Sequence, residues 1–206
     1  MQIKHYISGP LGVNCYLVVD EPTNKAFIVD PGGENEKLIN YVEKNNIQVE
    51  YIILTHGHGD HIGGVERYKN IYPTAKIIAH EEEKELLDDP KLNHSKFICG
   101  KSISITADQY VKDGETLNVG NLELKFLFTP GHTPGGMCIY VENSLFSGDT
   151  LFSQSIGRTD FPKSSFTTLK KSILDKLYVL PDDTDVYPGH MGTTTIGIEK
   201  EYNPFV

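Results

Sequence analysis

Cysteine is scarce in this chain. Cys15, Cys99 and Cys138 are the only three among 206 residues, and no two form a CxxC pair. An odd count with that spacing excludes a disulfide framework and points to a reducing compartment. Long apolar runs are missing too: none approaches the ~18 residues of a membrane-spanning helix. The opening stretch, MQIKHYISGPLGVNCYLVV, has no basic start ahead of an apolar block, so no signal peptide is expected. Basic charge is in deficit, with 19 Lys and Arg against 28 Asp and Glu and a net charge of -9. That balance argues against nucleic-acid phosphates and anionic lipid as partners. No low-complexity segment or compositional break divides the chain. The composition, 38% hydrophobic and 23% charged, is that of an ordinary soluble protein long enough to bury a sizeable core. The expectation is one cytoplasmic domain over 1–206, with no nucleic-acid and no membrane partner.

Short strand-like runs alternate with turn residues. VNCYLVVD (13–20) and KAFIVD (25–30) flank EPTN as a hairpin, and EYIILT (50–55) and AKIIA (75–79) read as buried strands. LELKFLFTP (122–130), the pair MCIYVE and SLFSGD (137–149), and TDVYPGH (184–190) complete the strand set. Helices are expected at 34–46, weakly at 61–72, at 81–89, and at 166–177. In the last, Phe166, Leu169, Ile173 and Leu177 share a face and Ser164 or Ser165 is the cap. EEEKE (81–85) reads as an exposed helix face. NCYLVV…AFIVDPG is faintly repeated by MCIYVE…SLFSGDT. Each is a strand pair ending in an aspartate and a turn, Asp30 in one and Asp149 in the other.

One segment departs from this ordinary texture. ILTHGHGDH packs three histidines, an aspartate and two glycines behind a buried strand. In an extended loop, residues two apart point the same way, so His56 and His58 share one target while Asp60 and His61 turn toward another. Neutral imidazoles with a carboxylate suit a divalent first-row metal. Further ligand types recur at strand ends: His132 in TPGHTPGG, Asp149 in FSGDTLF and His190 in YPGHMG. Five of the eight histidines thus sit in strand-end turns.

The order H-x-H-x-D-H, G-H-T, S-G-D, P-G-H resembles the metallo-β-lactamase superfamily over nearly the whole chain. The resemblance implies an α/β fold, a four-layer αββα sandwich. It implies one metal site at His56, His58 and His132, a second at Asp60, His61 and His190, and Asp149 bridging both. Two divalent ions follow as cofactors, zinc first, with iron or manganese also compatible. Ions about 3.5–4 Å apart lower the pKa of a shared water, and the resulting hydroxide is the nucleophile. Asp60 is also a candidate proton acceptor. Two dications against two carboxylates and one hydroxide leave a positive site, suited to an anionic substrate.

Within the superfamily, His58 stands where flavodiiron reductases carry Glu, and Asp149 where true metallo-β-lactamases carry Cys. Acidity and short length argue against the RNA-processing branches. GDTLFSQSIGRTDFP, GHTPGG and GTTTIGIEKEYNPF resemble short glyoxalase II proteins. That likeness implies a small-molecule thioester of the S-D-lactoylglutathione type as substrate. The C-terminal helical domain with which long glyoxalase II enzymes grip glutathione is expected to be absent, since the chain ends sixteen residues after His190. GRTDF also resembles persulfide dioxygenases, which would hold one iron with His56, His132 and Asp149. A metal-stabilised scaffold without turnover is the third reading. Arg158 is a candidate contact for a substrate carboxylate, with an ion pair to Asp160 as its competing role. Phe152 and Phe161 are candidate pocket walls. Asp30, Tyr187 and Glu199 are candidate hydrogen-bonding supports behind the ligands. His5, His80 and His94 match no ligand motif, Lys163 reads as solvated, and Cys15 and Cys138 read as small core residues.

Overall fold

The computed structural model describes residues 1–206. The chain opens with β1 (Gln2–Ser8), β2 (Val13–Asp20) and β3 (Lys25–Val29), then α1 (Glu36–Lys44) and β4 (Gln48–Ile53). Two short helices, α2 (Gly59–Ile62) and α3 (Val65–Ile71), lead to β5 (Lys76–His80). A 3₁₀ turn at Glu81–Glu83, α4 (Lys84–Asp88) and α5 (Ser95–Cys99) precede β6 (Gln109–Val111). The second half runs β7 (Thr116–Val119), β8 (Leu122–Phe128), β9 (Met137–Val141) and β10 (Ser144–Gly148), then a small ribbon of β11 (Leu151–Phe152) and β12 (Ser155–Ile156). It closes with α6 (Phe166–Ser172), β13 (Asp185–Pro188), β14 (Thr194–Thr195) and α7 (Ile196–Tyr202).

Two six-stranded sheets result, ordered β1-β2-β3-β4-β5-β6 and β14-β13-β10-β9-β8-β7. Both faces of β2 and β3 are buried, which is why their sequences read as continuous apolar runs rather than alternating ones. Alternate residues still serve different layers. Cys15, Leu17, Val19, Ala26 and Ile28 face the helices and meet Leu38, Ile39, Val42, Val65 and Tyr68. Tyr16, Val18, Phe27 and Val29 face the other sheet and meet Leu124, Phe126, Ile139 and Phe146. A third cluster packs Leu169, Ile173, Leu177 and Ile196 on the far face of the second sheet. The layers are therefore helix, sheet, sheet, helix, the αββα sandwich. The three cysteines are free, and Cys15 and Cys138 are buried core residues. No helix is long and apolar enough to cross a membrane.

The repeated strand pair has a structural counterpart. β2 pairs antiparallel with β3, which pairs parallel with β4; β9 pairs antiparallel with β10, which pairs parallel with β13. The turns after β4, β10 and β13 carry six of the seven expected ligands, and the turn after β8 carries the seventh, His132.

Several elements differ from the sequence reading. The helix expected over 61–72 starts earlier and breaks at Gly63 and Gly64 into α2 and α3. The 166–177 helix is α6 followed by one wider π turn at Ile173–Leu177, capped by Ser165, whose side chain accepts from Thr168 N–H. Phe166 is exposed and does not join Leu169, Ile173 and Leu177 in the core. EEEKE is not uniformly exposed, because Glu83 is buried within it. β1, β6, β7, β14, α5 and α7 were not anticipated.

Candidate metal centre

His56 and His58 follow the end of β4, and His58, in extended backbone, starts α2, so Asp60 and His61 sit in a helical turn rather than in a continuing loop. The change of backbone separates the two pairs. His132 and Asp149 each follow a glycine with positive φ, Gly131 at 138° and Gly148 at 49°. A Cβ at Gly131 would lie 2.3 Å from Leu169 N, and one at Gly148 2.2 Å from Thr55 Oγ1, so both turns require glycine. His190 follows β13.

These turns bring three donor sets within coordinating distance: His56, His58 and His132; Asp60, His61 and His190; and Asp30, His56 and His61. In the first, His58 Nδ1 lies 2.9 Å from His132 Nε2. In the second, His190 Nε2 lies 3.2 Å from Asp60 Oδ2, and His61 Nε2 lies 3.7 Å from that same oxygen. Asp149 sits between them. Its Oδ1 is 3.3 Å from His61 Nε2, and its Oδ2 is 3.5 Å from His132 Nε2 and 3.8 Å from His190 Nε2.

The remaining nitrogens are held from behind. Asp30 accepts Thr55 N–H at 2.8 Å, Thr55 O–H at 2.6 Å and His61 Nδ1–H at 2.9 Å, so it is committed to orienting His61 and the end of β4. His132 Nδ1 donates to the Arg158 carbonyl at 2.8 Å, which leaves Nε2 with its lone pair.

Burial holds His56 well below the ordinary histidine range, with neighbouring histidines adding to the effect, and it lowers His58 to about 3. His132 is lowered for the same first reason, so these three rings are neutral donors. At His61, burial opposes the charged form, but Asp149, Asp60 and Asp30 outweigh it and raise the ring well above its usual value. At Asp149 burial is likewise overcome, chiefly by His61, and the carboxyl falls far below the carboxylate range. The donor set fits a pair of cations. His56 Nε2, His61 Nε2 and Asp149 Oδ1 are buried without a hydrogen-bond partner. Asp60 and Asp149 approach His61 and His190 while Asp30 lies behind His61, so these shielded carboxylates have only histidines as counter-charges, an arrangement that costs heavily unless a cation is supplied.

A cavity of about 470 Å³ opens over the cluster. Phe161 stands against His58 at 4.9 Å between ring centres, and Phe152 meets His190 edge-on at 6.1 Å. Both phenylalanines line the cavity, as does Arg158. The Arg158 guanidinium, however, is held by Asp160 at 2.7 and 2.9 Å and lies over the Phe161 ring. The ion pair expected of it is therefore formed, at the rim of the cavity.

Tyr187 is corrected: it packs on Tyr16 and Phe146 in the core between the sheets and makes no hydrogen bond to the ligands. Glu199 is corrected too, since it ties Gln154, Thr194 and Asn203 together. Lys163 pairs with Glu85 rather than standing free. Sequence reading missed the wall made by His94 and Phe97. His94 starts α5 in left-handed backbone, and Phe97 is 93% exposed at the cavity mouth. An exposed phenylalanine is visible only in a structure, and His94 lies outside every ligand pattern.

A profile of the metallo-beta-lactamase superfamily matches residues 8–190. An uncharacterized protein of Aquifex aeolicus is 40% identical over 100% of this chain and 97% of its own length. The hydroxyacylglutathione hydrolase GloC of Haemophilus influenzae is 37% identical over 94% of this chain and 92% of its own. The probable metallo-hydrolase YqgX of Bacillus subtilis is 36% identical over 96% and 94%. Among solved structures, the BLEG-1 B3 metallo-beta-lactamase aligns with a TM-score of 0.91 at 38% identity, covering 99% of both chains. TTHA1623 in a di-iron-bound form aligns at 0.84 and 32%, covering 98% of this chain and 100% of that one. ETHE1 from Myxococcus xanthus aligns at 0.80 and 26%, covering 99% and 84%.

Proposed function

This chain belongs to the metallo-beta-lactamase superfamily, and from that premise we propose that it is a hydroxyacylglutathione hydrolase-like thioesterase. Its substrate would be a thioester of the S-D-lactoylglutathione type, cleaved to a hydroxy acid and a thiol. The observation that carries the reading is the placing of Asp149 between two complete donor triads under one cavity. The likeness to GloC supports the choice of substrate. Zinc is the first choice of ion, with iron and manganese compatible, and TTHA1623 has been solved with two irons. Three free thiols accord with a reducing, cytoplasmic setting.

Bound ions would supply a Lewis acid for the thioester carbonyl and a water of near-neutral pKa as nucleophile. The chain's own residues do the rest. His56, His58 and His132 would hold one ion and Asp60, His61 and His190 the other, with Asp149 shared. Asp30 and the Arg158 carbonyl fix the tautomers of His61 and His132. Asp60 turns its Oδ2 toward His190 and in this reading would be the proton acceptor. Phe152 and Phe161 wall the cavity with apolar surface.

The test pairs elemental analysis of protein made without added metal with thiol release from a panel of acyl-thioesters. A β-lactam belongs in the panel because of the likeness to BLEG-1. Two ions per chain and release of thiol are expected. Fully loaded protein that releases no thiol overturns the reading. GRTDF favours one alternative, a persulfide dioxygenase-like enzyme with a single iron on His56, His132 and Asp149. The complete second triad supports two ions over one. Oxygen uptake with glutathione persulfide and one iron per chain would decide for the alternative.

A further inference from the structure

We propose that Glu83 is a positioning residue that locks the two loops of the first triad into one geometry. The carboxylate spans them: Oε1 accepts the Gly57 N–H at 2.8 Å, and Oε2 accepts the Gly135 N–H at 2.7 Å. Gly57 lies between His56 and His58, and Gly135 closes the turn that presents His132. Through two backbone amides, one side chain therefore reaches all three donors of a single ion.

The surroundings separate Glu83 from its acidic neighbours. Glu81 and Glu85 pair with Lys112 and Lys163 near the surface, whereas Glu83 turns inward and is 1% exposed. Burial pushes its carboxyl up to about 7, and the two N–H bonds oppose that rise. Both loops rest directly on the segment that carries it. A Cβ at Gly135 would lie 2.2 Å from Glu83 N, and one at Gly57 would lie 2.7 Å from Leu86 Cδ2. Two such close approaches seat both loops against the segment that carries Glu83. The other triad has a separate support, because Asp30 holds His61. Asp30 stands behind His61 and, through Thr55, behind His56, whereas Glu83 alone ties together the two loops of the first triad.

The test strips the full chain with a chelator and titrates it with zinc, and separately with cobalt(II), against a chromophoric competitor. Glu83→Gln keeps the size but aims an N–H₂ at one of the two amides. It is expected to weaken one ion about 10-fold, and Glu83→Ala up to about 100-fold, in the range seen when groups supporting metal ligands are removed. The other ion should stay within about two-fold, and the cobalt(II) absorption of one site alone should change. Glu82→Gln, an exposed neighbour, is the unchanged control. Equal weakening of both ions in step with lost thermal stability marks a merely structural role and overturns the proposal. Should Glu83→Ala not fold, Glu83→Gln carries the test. The inference rests on assigning His56, His58 and His132 to one ion. A wild-type chain that takes up fewer than two ions overturns that assignment, and the proposal falls with it. A wild type that takes up two, beside an indistinguishable Gln variant, overturns the proposal alone.

Discussion

Asp149 touches both triads, His190 only one, and their replacement should separate accordingly. Asp149→Ala is expected to lose or loosen both ions, whereas His190→Ala should weaken mainly the ion on Asp60 and His61. Metal content after gel filtration reads the difference, and full content in both variants would refute the ligand assignment. Arg158 offers a contrast. Its guanidinium is engaged by Asp160 at the surface, while its backbone carbonyl does the work at His132. Arg158→Ala should therefore keep both ions and change kcat/KM on an acyl-thioester by roughly two-fold or less, since exposed ion pairs contribute little. A large rise in KM would return a substrate contact to this residue. At this scale the sequence was most informative about the donors, because ligand chemistry restricts residue type and places it in strand-end turns. It was least informative about what stands behind them. Asp30 and Glu83 are both acidic, but only burial and bond geometry show that one holds a ring and the other two amides, and that Tyr187 holds neither.

Among the elements, α6 matters because Gly131 backs directly onto it. Leu169 is fully buried in the outer cluster, and its backbone N lies where a Cβ on Gly131 would fall. Leu169→Ala should cost about 2–5 kcal/mol, as other buried Leu truncations do. Urea unfolding measures the loss, and a change below about 1 kcal/mol would contradict the packing described. Long apolar strands and helices with a clear apolar face were legible, as in β2, β4 and α1. Elements of three to five residues, such as β6, β7 and α5, carry too few side chains for a period to emerge. β1 is an edge strand with mixed burial and lysine and histidine on it, so it lacks the apolar signature of its neighbours. Phe166 shows the opposite error, an apolar residue in register that the helix end leaves in solvent.

Across the whole molecule, the ions would join the two halves. The first sheet's turns supply His56, His58, Asp60 and His61; the second sheet's supply His132, Asp149 and His190. Each ion present at a thousand times its dissociation constant stabilises the folded state by about 4 kcal/mol. Chelation should therefore lower the unfolding temperature by roughly 8–15 °C per ion removed for a chain of this size. Scanning calorimetry with and without a chelator tests this, and coincident curves would count against a metal held in the fold.

The two sheets are also contiguous in the chain, for every strand through Val111 belongs to one and every strand from Thr116 onward to the other, apart from the small ribbon. A backbone nicked in the exposed stretch 112–115 would yield a pair of fragments, each owning an incomplete claw. Mixed together, they should dock through the apolar seam between the sheets and hold one another more tightly in zinc than in chelator. In that sense the ions would serve as a clasp at one end of a seam whose grip is otherwise hydrophobic, and the four-residue tether only keeps the two faces in reach.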